Sequence, residues 1–227
     1  MVSSPEPSHQ SAWGAFGTLL AVVNFALVPP LAYLTFRSTL WAAETTPSGF
    51  RNAPVSRAAV SAVFLSSVAA FVFGWPHSFS LPWGQIHAAS LLPLLYHQLY
   101  FPSLNGLACG MFLLYKFRQL ERAWGSRRFL AGLLLLSVLS SLLSLAILVI
   151  GRDGLVQRMA IGPYGICLGP LILFHSEVPT HSTTRVPLLN VTVSDKALTF
   201  LFALHLALLS VPECLFASIA ALFAGWA

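Results

Sequence analysis

Tyr115 to Phe129 reads YKFRQLERAWGSRRF, and the reading of this stretch decides the fold. Lys116, Arg118, Arg122, Arg127 and Arg128 surround a single acid, Glu121, in a chain that is otherwise almost continuously apolar. LACGMFLLY precedes the stretch and FLAGLLLLSVLSSLLSLAILVI overlaps its last residue and follows it. Apolar runs on both sides of a short basic one describe two membrane helices joined by a basic hairpin.

The composition agrees. Of 227 residues, 56% are hydrophobic and 8% are charged, against about 25% charged in ordinary soluble domains. Several runs reach the ~20 residues that cross a bilayer core. The expected class is an all-α polytopic membrane protein. Its net charge of +5 then marks loops kept on the cytosolic side and does not point to nucleic acid. Cys109, Cys167 and Cys214 all lie in apolar runs without a CxxC and read as small buried hydrophobes. The seven histidines never fall at the i, i+4 spacing of a helical metal site. No metal and no cofactor is expected.

Outward from the basic stretch, residues 1–47 hold a polar, Pro/Ser-rich tail and an apolar segment, 13–36, read as an extra uncleaved membrane helix. A cleaved signal peptide is its rival, but the basic n-region and small-x-small cleavage site are missing. Residues 48–227 form the main membrane domain. A polar connector runs over 37–57, a span over 58–75, then a Pro- and aromatic-rich segment expected to lie partly embedded in the membrane. Spans follow at 104–117 and 129–150, and a Gly-rich one at Met159 to Phe174, whose small residues allow close helix approach. Lys196 to Ser210 and Pro212 to Ala227 complete the bundle after a polar loop from His175 to Asp195. The chain stops at AALFAGWA, beside an apolar segment, which reads as a truncation.

Charge orients the bundle. With the 116–128 hairpin in the cytosol, Arg37, Arg51, Arg57, Arg185 and Lys196 fall on the same side. The C-terminus is then cytosolic and the Asn190-Val191-Thr192 sequon is silent.

At Glu121, Gly125, Ser126, Arg127, Arg128 and Phe129 the chain resembles the rhomboid superfamily, which carries this motif between its second and third core helices. The resemblance implies a rhomboid-like six-helix core, with the extra helix placed before it. The family sets a nucleophile serine in GxSG and a histidine before a small-residue GG…G pattern. Here Gly162-Pro163-Tyr164-Gly165 stands at the first, so Tyr164 takes the nucleophile position, and Ser218 takes that of the histidine, with Gly225 following. Cys109 stands where an oxyanion-hole asparagine is expected. A phenol without a base is no serine–histidine pair, so the resemblance implies a pseudoprotease with no catalytic residues.

SGFRNAPVSRA (48–58), LLYKFRQLERAWGSRRF (113–129) and VTVSDKALTFLFALHLA (191–207) narrow the likeness. They are similar to the branch that holds UBA domain-containing protein 2 and subunit 2 of the fungal DSC ubiquitin ligase complex, here without the UBA domain. That branch implies membrane RING ubiquitin ligase subunits, a UBX-domain adaptor with a p97-type ATPase, and membrane clients as partners, in the endoplasmic reticulum or Golgi. Two alternatives compete. One is an active intramembrane serine protease using Ser210 with His205, set against by their i, i+5 spacing. The other is a small transporter, set against by the lack of charge mid-span. Tyr164 reads also as a packed aromatic, His205 as a neutral ring bonded to a neighbouring helix, and Glu213 as a carboxylate at a helix start.

Overall fold

A computed structural model describes residues 49–74, 98–150, 162–178, 183–186, 191–209 and 213–226. The extra N-terminal helix expected over 13–36, most of the partly embedded segment after residue 75, and Ser210 lie outside the described residues.

The first helix, α1 (Pro54–Phe73), begins with proline, whose missing N–H is no loss in a first turn. It ends at Gly74, held in the left-handed conformation (φ 65°) with its N–H on the Ala70 carbonyl. The helix is turned inside out relative to one from a soluble protein. It buries Ser56, Val63, Ser67 and Ala70 and exposes Phe64, Leu65, Val72 and Phe73. Lipid, not water, is the solvent that makes such a helix stable.

Ser103 caps the start of α2 (Leu104–Trp124), its hydroxyl accepting from the Gly106 N–H at 3.2 Å. The apolar run does not stop at 117, as expected. The helix continues through the basic residues to Trp124, and Gly125 alone (φ 82°) makes the turn into α3 (Ser126–Ile150). The expected loop is thus a one-residue corner with its cations on helix ends. On α3, Leu134, Leu135, Val138 and Leu142 face outward while Ser140 is buried, the same inversion as in α1.

The Gly-rich span is two helices in line, α4 (Tyr164–Leu168) and α5 (Pro170–Glu177). Gly169 between them keeps helical dihedrals, and Pro170 removes the N–H that would continue the ladder. Close approach by small residues, expected from sequence, is observed here. A Cβ at Gly165 would overlap Ser140, and one at Gly225 would overlap the carbonyl oxygen of Gly169. The polar loop is more structured than expected. Strands β1 (Thr183–Val186) and β2 (Val191–Ser194) pair antiparallel, Thr183 opposite Ser194 and Val186 opposite Val191. Ser194 then caps α6 (Asp195–Ala207), and α7 (Glu213–Trp226) is the last described element.

Counting α4 and α5 as one broken helix, six helical segments form the bundle among the described residues. The molecule is an all-α membrane protein apart from this small ribbon. Among the described residues two helices, α1 and residues 126–147 of α3, are long and apolar enough to cross a membrane alone. The bundle's centre is α2 and α7: α2 touches α1, α3, α4, α5 and α6, while α7 packs on α3, α4, α5 and α6. Phe101, Leu113, Leu114, Phe117, Leu168 and Leu206 fill the space between.

Candidate functional site

The positions expected to carry a serine and a histidine lie where α4 meets α7. Tyr164 opens α4, 4% exposed, with its hydroxyl donating to the thiol of Cys214 at 2.8 Å. Ser218, 1% exposed, donates to the Cys214 carbonyl at 2.6 Å, a bond within its own helix. The polar group that α7 offers Tyr164 is therefore Cys214, one turn ahead of the expected position. The i, i+4 relation of Cys214 and Ser218 puts both on one helix face, which is the signal that could have found it.

The tyrosine ring is fixed from two sides. It makes an edge-on contact with Phe101, centroids 6.1 Å apart, and a Cβ at Gly162 would strike it. Cys109 is buried on α2, and Cys167, buried on α4, has its sulfur 4.0 Å from the Gly110 carbonyl oxygen. All three cysteines are buried, and none forms a disulfide. His205 is 5% exposed, and its Nε2 has no hydrogen-bond partner among the described residues. No group of three His, Cys, Asp or Glu side chains able to hold a metal occurs among the described residues.

A second polar assembly sits between α1 and α3, and sequence reading missed it. Gln98, 8% exposed, donates to the Ser137 carbonyl at 3.0 Å and to the Ser140 hydroxyl at 3.3 Å. Its amide also bonds the hydroxyls of Ser137 and Ser141. Ser66 of α1 donates to the Leu99 carbonyl, and Ser67 accepts from the Phe101 N–H at 3.0 Å. Serines of α1 thus satisfy the non-helical backbone leading into α2, as a low-dielectric surround demands, while those of α3 satisfy the Gln98 side chain. Phe101 lies against Gly110, where a Cβ would overlap its ring. The signal was the Ser137, Ser140, Ser141 spacing, a polar face in an apolar helix.

Glu121 holds the basic end together. It lies beyond the apolar part of α2 and is 1% exposed. One carboxylate oxygen accepts from the Val55 N–H at 2.9 Å and the Ser126 hydroxyl at 2.8 Å, the other from the Ser56 N–H at 2.7 Å. Ala53 offers α1 no side-chain cap. Glu121 supplies that cap from another helix, with a charge suited to the positive end of the α1 dipole. Burial pushes its carboxyl up, but the hydrogen bonds it accepts from Ser56, Val55 and Ser126 outweigh burial and hold it below the ordinary carboxylate value.

Two of the arginines clamp the turn before α1. Arg118 donates to the Gly49 carbonyl at 2.8 Å and stacks on Tyr115 at 3.9 Å. Arg122 reaches the Gly49 and Arg51 carbonyls at 3.0 and 2.8 Å. Phe50 meets Tyr115 edge-on at 5.5 Å. The other motif cations, Arg127 and Arg128, stand exposed at the start of α3, while Phe129 is buried.

A family model described as "Eukaryotic integral membrane protein (DUF1751)" matches residues 57–227. The chain is 30% identical over 180 residues to Rhomboid-like protein 18 of Arabidopsis thaliana, across 79% of this chain and 62% of that relative. The chain therefore spans about three fifths of the length of the curated relative it matches. No solved structure matches it.

Proposed function

The chain belongs to the DUF1751 family of eukaryotic integral membrane proteins and is rhomboid-like; from that premise we propose that it is a catalytically inactive subunit of a membrane degradation complex. In this reading it scaffolds or recognises membrane clients for a ubiquitin ligase of the endoplasmic reticulum or Golgi. Its partners are membrane RING ligase subunits and a UBX-domain adaptor that recruits a p97-type ATPase. The C-terminal end of α7 faces the cytosol.

One observation carries the proposal. The hydroxyl expected to be a nucleophile belongs to a phenol that donates its proton to a thiol, and Ser218 is turned to its own helix backbone. Serine hydrolysis needs a base that takes the proton from the attacking oxygen. A phenol donating to a buried cysteine is in the wrong role and beside the wrong partner. What remains is a membrane bundle with a fixed interior and extensive lipid-facing surface, which suits recognition of other helices.

Affinity purification of the full chain in mild detergent, read by mass spectrometry, tests the proposal. Recovery of RING ligase and ATPase-recruiting components is expected, and their absence would overturn it. A cleavage assay on a helical reporter in proteoliposomes tests inactivity separately. Product that disappears with Ser210→Ala would establish the protease alternative.

A further inference from the structure

Four exposed arginines stand at the end of the bundle where α1 begins and α2 turns into α3. Arg51 and Arg57 are exposed on the α1 side, and Arg127 and Arg128 on the α3 side. Their mounting is rigid. Glu121 ties the first turn of α1 to the first residue of α3, so Arg57 and Arg127 each follow directly on a group bonded to the same carboxylate. Arg51 is held by its carbonyl on Arg122. No acid occupies the first turn of α1 or α3, and none of the four has an ion pair among the described residues. Glu121 itself is buried and already accepts three hydrogen bonds.

Local energetics do not account for this arrangement. Cations in a first helical turn oppose the helix dipole, so Arg127 and Arg128 are placed against the field of α3. An anion brought from outside reverses the sign of that cost. The surroundings say which anion. Leu130, Leu134 and Leu135 are exposed on α3 immediately beyond the arginines, and Phe64 and Leu65 on α1 beyond Arg57. Arg128 to Leu134 is six residues, about 9 Å of helix. Cation and apolar face are thus continuous over the length of a headgroup and the start of its chains.

We propose that this end of the bundle binds anionic phospholipids of the adjoining leaflet. Arg57, Arg127 and Arg128 take the phosphate, with the forked geometry that guanidinium offers it. The exposed faces of α1 and α3 take the acyl chains. A soluble phosphate would use only half of the surface.

Native mass spectrometry of the full chain, released from micelles with equimolar phosphatidylserine and phosphatidylcholine, reads the preference directly. At least tenfold preferential retention of phosphatidylserine is expected. Each arginine near a bilayer surface is worth about fivefold, so Arg57→Gln/Arg127→Gln/Arg128→Gln brings the preference to near parity. The corresponding lysine variant retains part of it. Raising KCl from 0.1 to 0.5 M on the unaltered protein shrinks the preference as well, a test that needs no variant to fold. Parity in the unaltered protein, or an undiminished preference in the folded glutamine variant, would overturn the proposal. So would displacement by glycerophosphoserine at equal concentration, since that marks a soluble-anion site.

Discussion

The basic end and the interior around Tyr164 solve the same problem, fastening three helices, by opposite means. At the basic end one carboxylate bonds α1 and α3 from its place on α2, and the attachment is chemical. Around Tyr164 the helices meet because side chains are missing: Gly225 lets α7 reach the Gly169 carbonyl, and Gly165 lets α4 reach Ser140. There the attachment is steric. The region that resembles a catalytic centre is held by shape, and the region that resembles a topological marker is held by polar chemistry.

Substitutions can break that comparison, and the largest effect belongs to the carboxylate. Glu121→Ala strands two N–H groups of α1 and the Ser126 hydroxyl, and bonds to a charged group are worth about 1.5–3 kcal/mol each. A loss of about 3 kcal/mol or more is expected by unfolding of the purified chain in detergent, given their incomplete additivity. Glu121→Gln, which keeps one acceptor, should fall between. Equal stability of all three would show that the charge is ornamental. Gly225→Ala comes next, at about 1–3 kcal/mol, because its methyl group would meet backbone and not a side chain that can swing away. Ser67→Ala removes the acceptor of the Phe101 N–H and should cost about 1 kcal/mol.

Tyr164→Phe should cost least, about 0.5 kcal/mol, since the bond to the Cys214 thiol is weak and the ring and its contact with Phe101 remain. If Tyr164→Phe proved as damaging as Gly225→Ala, the steric account of this region would fail. Acid sharpens the other half of the contrast. The Glu121 carboxyl is held below its ordinary value, so its stabilisation is complete above the unfolded value, about 4.3. It is lost as pH falls through the lower folded value. A stability–pH curve on the unaltered protein should show that acid limb, and Glu121→Gln should flatten it.

Much of this was legible in the sequence, for definable reasons. Membrane class follows from composition, and the described helices from apolar runs whose boundaries moved by up to seven residues, at the end of α2. Glu121 stood out as the lone acid among cations, though nothing in its own stretch shows that it would cap a helix starting at Pro54. That partnership is long-range, 65 and 66 residues apart. Gln98 was invisible for the same reason, because its serines lie 39 to 43 residues away. The ribbon was missed although TTRV and VTVS, rich in β-branched residues around Pro187, carried the signal. Cys214 was missed because a resemblance fixes positions by pattern, and one helical turn separates the patterned residue from the contacting one.

The cap that Glu121 lends to α1 also orders events in time. The N-terminal turn of α1 has no side-chain partner of its own, and its partner is made 65 residues later. At about 5–20 residues per second, several seconds of synthesis separate the two. Over that interval α1 is a helix with an open end, and it closes only when the last turn of α2 arrives. A chain interrupted between them would leave that end exposed as a mark of incompleteness.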